Sequence, residues 1–171
     1  MKRLRTVMAA MLLSANVFAQ NVQDFASKFV EQCDVDTALQ YVTVSPKMME
    51  QLTKEADAKS NDNMAQAIQK LKSARIVTSS TRGEDYYRQA EALLKKNPQR
   101  FSHSNDYRSS HAHGTFYTRR NKNGDTVELV MLHSDTEAGI MVIVNLTGDI
   151  DEEFINSLER TFGKSKGNAD N

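Results

Sequence analysis

The sequence predicts an α+β fold in a single domain, with a mostly antiparallel sheet packed by several short helices. Residues 106–146 alternate between apolar and polar and are interrupted by short turn signals, which is typical of antiparallel strands. Several segments between residues 20 and 94 instead carry apolar residues three or four positions apart, as helices do. The chain has 171 residues, about the length of one domain. These observations predict helices mainly before the sheet-rich half.

The first residues have the three-part pattern of a secretory signal peptide. A short basic region, residues 2–5, precedes an apolar run, residues 6–15, and Val17 and Ala19 then stand where a signal peptidase expects small side chains. The apolar run is far shorter than the ~20 residues needed to span a bilayer. We therefore expect residues 1–19 to be removed after Ala19, and a periplasmic or secreted protein without a stable membrane anchor.

The charges and the single cysteine limit the possible partners and the sources of stability. The formal net charge of the whole chain is zero, and the charged residues within 1–19 are all basic. No basic stripe is present, which argues against nucleic-acid binding. Cys33 is the only cysteine, so an intrachain disulfide is impossible and stability must come from packing. We interpret Cys33 as a small apolar residue on a helix.

Helix spacing and capping residues organise the first part of the mature chain. Residues 20–33 predict a helix, and residues 39–44 predict a strand. Ser45 and Pro46 then favour a helix start, since serine caps helices and proline is tolerated in the first turn. The predicted inner face of this second helix consists of Met48, Met49, Leu52 and Ala56.

A polar break at residues 57–63 separates that helix from the next elements. Met64, Ile68 and Leu71 have the spacing of a short helix, and residues 74–80 predict another strand.

Thr81 and Glu84 fit a capping box that would open a further helix, and Asn97 and Pro98 would end it. Its apolar face would consist of Tyr86, Tyr87, Ala90, Leu93 and Leu94.

The second half predicts a meander of strands followed by a last helix. Asp149 and Glu152 can cap that helix, and residues 163–171 read as a disordered polar tail outside the domain of residues 20–162. The predicted strands are 106–110, 113–121, 125–133 and 139–146. The predicted inner face of the helix is Ile150, Phe154, Ile155, Leu158 and Phe162.

The order of these parts resembles a known family of small exported proteins. The segments that carry the likeness are "YVTVSPKMMEQL", "AIQKLKSARIV" and "VIVNLTGDID". They are similar to the exported Bacteroidetes family catalogued as domain of unknown function 4252, over roughly residues 22–162. The resemblance implies an exported α+β domain and little else, since the family has no established activity or catalytic residues to carry over. Some members of the family carry a lipid anchor, but this chain lacks the cysteine that such an anchor requires.

A His-x-His pair, His111 and His113, is the candidate metal site. Alternate residues of a strand share a face, so both imidazoles could hold one ion if the segment is extended. Zinc sites usually take three or four ligands, and His133 across the next hairpin is the natural third. The metal hypothesis therefore depends on whether His113 and His133 lie on the same side of the sheet.

The turn at Asn123-Gly124 decides that question. A two-residue turn places His113 opposite Ser134 and puts the two histidines on opposite faces of the sheet. A three-residue turn closed by a glycine bulge places His113 directly opposite His133 instead. A slip of one residue turns every side chain of the strand to the other face of the sheet, so the metal hypothesis depends on this turn. We prefer the two-residue turn and keep the three-residue turn as the alternative.

The strands of the meander are apolar on both faces, which predicts that both faces are covered. An antiparallel sheet with one wet face should alternate cleanly between apolar and polar residues. The cover could be the chain's own helices, a homodimer partner or an apolar ligand. The candidate surface for a ligand or partner consists of Val130, Leu132, Met141 and Ile143.

No catalytic motif or phosphate-binding glycine loop occurs, so the sequence predicts a protein that is not an enzyme and needs no cofactor. We expect a protein-interaction module with an unidentified protein partner or a second copy as its partner. A binder of a small apolar or lipid-like ligand between sheet and helices is the alternative. Metal binding at the histidine pair is the third hypothesis.

Overall fold

The computed structural model describes residues 23–33, 38–45, 47–49, 51 and 62–163. The predicted signal peptide, Leu52, Ala56 and residues 164–171 of the predicted tail lie outside these ranges. None of the helices within the described ranges is long and apolar enough to cross a membrane.

Six strands form one antiparallel sheet in the order β1-β2-β6-β5-β4-β3, which confirms the α+β prediction. Strand β1 coincides with the predicted strand, whereas β2 begins at Leu71, which was predicted to be helical. Strands β1 and β3 are the edges of the sheet. The strands are β1 (Leu39–Val44), β2 (Leu71–Ser79), β3 (Ser102–Arg108), β4 (Ala112–Arg120), β5 (Thr126–Asp135) and β6 (Ile140–Gly148).

Within the described ranges four helices pack on this sheet, and residues 47–49 are helical as well. Ser45 caps that short helical stretch as predicted, because its hydroxyl oxygen accepts a hydrogen bond from the Met48 N–H at 3.3 Å. The four helices are α1 (Phe25–Gln32), α2 (Asp62–Gln69), α3 (Gly83–Lys95) and α4 (Glu152–Gly163).

The helix caps differ from those predicted in two places. Arg82, in a left-handed conformation with φ of 54°, precedes α3 without any side-chain cap, so the predicted Thr81–Glu84 capping box is wrong. The Gly83 N–H donates to the Gly139 carbonyl at 2.9 Å, so a tertiary contact takes the place of the local cap. At α4 the carboxylate of Asp151, rather than Asp149, accepts from the Phe154 N–H at 2.8 Å.

One apolar core lies between the sheet and the pair α1 and α3. We call this side of the sheet the α3 face. Phe29 and Leu94 are fully buried in it, as are Tyr86 and Ala90 to within 2%. The sheet side chains in this core are Val77, Tyr117, Val130, Leu132, Met141 and Ile143.

A second core lies on the opposite side, which we call the α4 face. It is covered by α2, by α4 and by Met49 of the short helical stretch. The chain's own helices therefore cover both faces of the sheet, which is one of the three kinds of cover that the sequence predicted. The sheet side chains in this core are Leu71, Ala74, Phe116, Leu129, Met131 and Leu146.

Helix α1 is attached to the sheet by a buried polar network centred on Glu128. Its Oε1 accepts from the Phe25 N–H at 2.7 Å and from the Asn145 amide at 3.1 Å, and its Oε2 accepts from Arg119 at 2.6 Å. The Asn145 Oδ1 accepts from the Ala26 N–H at 2.8 Å. Side chains from β5 and β6 thus accept from the first two backbone N–H groups of α1, and the local N-cap Asp24 accepts from the Ser27 N–H at 2.9 Å.

The β4–β5 hairpin combines the less favoured turn with the favoured register. The Asn121 N–H donates to the Asp125 carbonyl at 2.9 Å, and Gly124 adopts a φ of 93°. This is the three-residue turn with a glycine bulge, and it pairs Arg120 with Thr126.

A second irregularity then restores the register of the two-residue turn. Arg119 pairs with Glu128, so Val127 is an extra residue on β5. Beyond this bulge His113 lies opposite Ser134, as the two-residue turn predicted. The predicted turn is wrong and the predicted register is correct, because the bulge adds the residue that the turn removes.

Candidate functional site

The four residues predicted to form a ligand or partner surface are not accessible. Val130, Leu132, Met141 and Ile143 are all 0% exposed and belong to the core of the α3 face. Helices α1 and α3 pack over them, so these positions cannot form the predicted ligand or partner surface. The second apolar face of the strands reflects burial within the chain.

The histidines have different environments. The His111 side chain is 67% exposed and has Glu137 at 3.5 Å as its ion-pair partner. His113 is largely buried against α3, with Glu84 at 3.5 Å and the Tyr87 ring centroid at 4.6 Å. Within the described ranges no three His, Cys, Asp or Glu residues are placed to hold a metal ion.

His133 lies on the other face of the sheet, so it cannot join His113 at one ion. The Tyr107 hydroxyl is 2.7 Å from Nδ1 of His133 and reaches it across Gly114, which lies between them in the sheet. A Cβ at Gly114 would lie 2.3 Å from the Tyr107 ring and 2.4 Å from the Leu132 carbonyl oxygen. The glycine thus provides the space for this cross-strand contact.

Burial controls the protonation of this pair. Burial lowers the pKa of His133, the nearby charge of His113 lowers it further, and Asp135 partly opposes the shift. Burial also raises the pKa of Tyr107, so the phenol keeps its proton and can donate it to a neutral imidazole. The pair is therefore a neutral, structural hydrogen bond at neutral pH.

The His133 shift predicts that stability falls as the pH drops below the ordinary histidine pKa of 6.5. In that range the unfolded chain binds a proton that the folded chain resists, so protonation favours unfolding. We expect urea unfolding to show this decline in the wild type and a smaller one in His133→Gln. The exposed His111→Gln is the control. An unchanged decline in His133→Gln would contradict the assignment.

Ser134, Glu84 and His113 meet in space but do not form a hydrolytic triad. The fully buried Ser134 hydroxyl donates to Glu84 Oε2 at 3.1 Å, the same oxygen that lies near His113. A triad needs the imidazole between the nucleophile and the carboxylate, and here the carboxylate occupies the middle position. The imidazole of His113 therefore does not contact this serine as the base of a triad would.

Neither of two cavities on the α3 side of the sheet matches the predicted apolar ligand. The apolar cavity between α1 and the end of α3, lined by Phe25, Phe29, Leu93 and Phe101, measures about 20 Å³, room for about one water molecule. Pockets for small molecules usually measure ~300–1,000 Å³. A larger groove of about 470 Å³ beside His113 is lined mainly by charged side chains.

The exposed apolar surface of the described ranges is concentrated on and next to strand β1. The large hydrophobic side chains that are clearly exposed there are Tyr41 at 41%, Val42 at 52% and Met48 at 47%. Tyr41 lies on the α3 face, where its hydroxyl contacts Arg75, and Val42 lies on the α4 face. Met48 was predicted to lie inside its helix, and its exposure corrects that prediction.

The backbone of β1 also has hydrogen-bonding groups directed away from the sheet. The Ser80 N–H donates to the opposed Ala38 carbonyl at 2.9 Å, which marks a hydrogen-bonded pair. Such pairs alternate along an antiparallel ladder, so Val42 directs its backbone groups to β2. Tyr41 and Thr43 then direct their N–H and C=O groups outward, where no other described strand lies.

The opposite edge strand, β3, has features that prevent pairing with another chain, and β1 lacks these features. Strand β3 carries Asp106 and Arg108, contains an irregularity between His103 and Asn105, and is held by Glu159 of α4. Charges and bulges of this kind prevent edge strands from pairing with other chains. Strand β1 has a regular ladder to β2 and no charged residue.

This site was not predicted, although the sequence of β1 indicates a strand that can pair with another chain. Residues 39–44 combine β-branched and aromatic residues without charge or proline, which is the composition of segments that form intermolecular β-sheets. What the sequence could not show is that this strand lies at an edge, because strand order depends on long-range pairing.

A family model described as a domain of unknown function, DUF4252, matches residues 34–158. The chain belongs to this family. The matched region contains all six strands, and α1 precedes it. The resemblance read from the sequence is thereby confirmed for the family itself. No curated protein matches the chain.

Two solved structures show a distant likeness. A Pseudomonas aeruginosa protein of unknown function, PA94, is 12% identical, with 76% of this chain and 80% of that chain covered and a TM-score of 0.34. The Saccharomyces cerevisiae Ran-binding protein Mog1p is 10% identical, with 52% and 56% covered and a TM-score of 0.28. Likeness at this level says nothing about what the chain binds.

Proposed function

We propose that the chain is an exported, non-enzymatic protein-interaction module whose edge strand β1 accepts an extended protein segment as an additional antiparallel strand. The observation that carries the proposal is the outward backbone of Tyr41 and Thr43 beside exposed apolar side chains. Added strands gain affinity from main-chain hydrogen bonds and specificity from alternate side chains.

Export is supported by the signal-peptide pattern of residues 1–19, with cleavage expected after Ala19. The non-enzymatic assignment is supported by the position of Glu84 between Ser134 and His113, which leaves the serine without the imidazole partner of a hydrolytic triad.

The chemistry of β1 defines the segment that fits it. The partner strand should be uncharged, since β1 offers no charge to pair with. It should carry apolar side chains on both of its faces, because the exposed Tyr41 and Val42 lie on opposite faces of the sheet.

A peptide-binding experiment tests this function. The probe is a fluorescent peptide with the sequence of residues 38–45, offered to the purified chain at low protein concentration. We expect Thr43→Pro to abolish binding, because proline removes one outward N–H while leaving the ladder to β2 intact. Thr43→Val is the matched control and should bind as the wild type does, because it keeps the N–H.

Two outcomes would contradict the proposed function. One is a lack of binding by the wild type at any peptide concentration that remains soluble. The other is equal binding by Thr43→Pro and Thr43→Val, which would place the peptide elsewhere on the chain.

A further inference from the structure

We infer that a second copy of this chain occupies the β1 edge, with β1 pairing antiparallel to β1 about a two-fold axis at Val42. The inference rests on the proposed function and names the partner. The result is one continuous sheet through both copies, with the protected β3 edges at its ends.

The backbone pattern restricts how two copies can pair. Residues whose backbone groups point outward form hydrogen-bonded pairs only with residues of the same orientation. Tyr41 and Thr43 must therefore lie opposite outward-directed residues of β1 in the second copy. Because a two-fold contact is self-complementary, the axis must then pass through a residue of β1. The central choices are Tyr41 and Val42.

An axis at Val42 matches the exposed side chains best. Each Val42, the most exposed of the large hydrophobic residues, then lies directly opposite Val42 of the second copy on the α4 face. Tyr41 pairs with Thr43 of the second copy on the α3 face. An axis at Tyr41 would instead set Val42 against the polar Gln40.

Charge does not oppose this pairing. Residues 38–45 carry no ionisable acid or base apart from the Tyr41 phenol, so no like charges meet at the axis. Arg75, a cation on β2 that contacts the Tyr41 hydroxyl, is paired with Asp24 at 2.9 Å. The two copies of Arg75 would be separated by three strand spacings, about 14 Å, which exceeds the Debye length of ~8 Å at physiological salt.

The size of the contact predicts a reversible dimer. One pair of six-residue strands buries less than the ~1,200 Å² typical of stable complexes. Met48, exposed next to β1, can add apolar contact at the same edge. We therefore expect the dimer to dissociate on dilution.

Sedimentation equilibrium of the purified chain, starting at Gln20, tests the dimer. We expect a monomer–dimer equilibrium for the wild type and Thr43→Val, and a monomer for Thr43→Pro. A wild type that stays monomeric at millimolar concentration would overturn the inference. If that monomer still bound the peptide of residues 38–45, the proposed function would stand and only the second copy would be excluded.

Disulfide trapping in a Cys33→Ser background tests the axis. Val42→Cys would place two cysteines in a non-hydrogen-bonded pair with Cα atoms about 4.5 Å apart, within the ~4.4–6.8 Å range of disulfides. We expect Val42→Cys to form a covalent dimer at mild oxidation and the neighbouring control Tyr41→Cys to remain reduced. Crosslinking of Tyr41→Cys alone, or of neither variant, would overturn the axis at Val42.

Discussion

Replacing Glu128 with alanine should lower the free energy of unfolding by about 3–5 kcal/mol, the range for removing one partner of a buried ion pair. Glu128 is 0% exposed, and its carboxylate binds Arg119 at 2.6 Å and the Phe25 N–H at 2.7 Å. Its loss removes the acceptor of the Phe25 N–H and leaves the largely buried Arg119 guanidinium without its carboxylate partner. Because α1 covers Val130 and Ile143, its loosening also exposes the α3 face.

Urea unfolding measures this effect against a matched glutamate. Glu152 also pairs with an arginine, Arg120 at 3.0 Å, but its side chain is 74% exposed. Exposed pairs contribute roughly 0–1 kcal/mol, so Glu152→Ala should be close to the wild type. Equal effects of Glu128→Ala and Glu152→Ala would show that the buried network does not hold α1.

Replacing Gly83 with alanine should destabilise the fold by about 1–3 kcal/mol, as overpacking of a tight contact does. A Cβ at Gly83 would lie 2.3 Å from the Ile140 carbonyl carbon and 2.7 Å from the Gly139 carbonyl oxygen. Both are backbone atoms, which cannot move aside as a flexible side chain would. The start of α3 must therefore shift away from the β5–β6 turn.

Thermal unfolding of Gly83→Ala, with Asp85→Ala as the control, checks this prediction. Asp85 lies in the same helical turn, and its ion pairs with Arg82 and Arg88 are more than half exposed. Its removal should change stability by less than about 1 kcal/mol. A Gly83→Ala variant as stable as the wild type would show that the contact is looser than the structure has it.

The local elements were predictable because short-range patterns determine them. Strand β1 was predicted with its observed ends, and the α3 residues Tyr86, Tyr87, Ala90 and Leu94 are buried as their spacing indicated. Ser45 caps the next helical residues for the same local reason.

The interactions that attach one element to another were not predictable. Glu128 caps α1 from 103 positions away, and nothing near Phe25 in the sequence indicates that acceptor. The hairpin shows the same limit, since the register depends on both Gly124 and the bulge at Val127, and only the glycine has a sequence signal.

The candidate site lies at the edge of the sheet, whereas the sequence predicted it in the middle of the sheet. The strands that contain Val130 and Ile143 are apolar on both faces, which predicted that both faces are covered. Helices α1 and α3 cover the face on which these two residues lie. Among the described residues, the large hydrophobic side chains that are exposed are instead Tyr41 and Val42 of an edge strand, with Met48 next to it. Composition identified the strand, but only the sheet order shows that no other described strand lies along its outer side.

Residue-resolved amide exchange of β1 tests the central claim most directly. With an excess of the peptide of residues 38–45, the outward N–H groups of Tyr41 and Thr43 should change from fast to slow exchange. The Val42 N–H, which points to β2, should be protected with and without the peptide. If Tyr41 and Thr43 exchange at unprotected rates throughout the titration, the β1 edge accepts no strand and the proposed function is wrong.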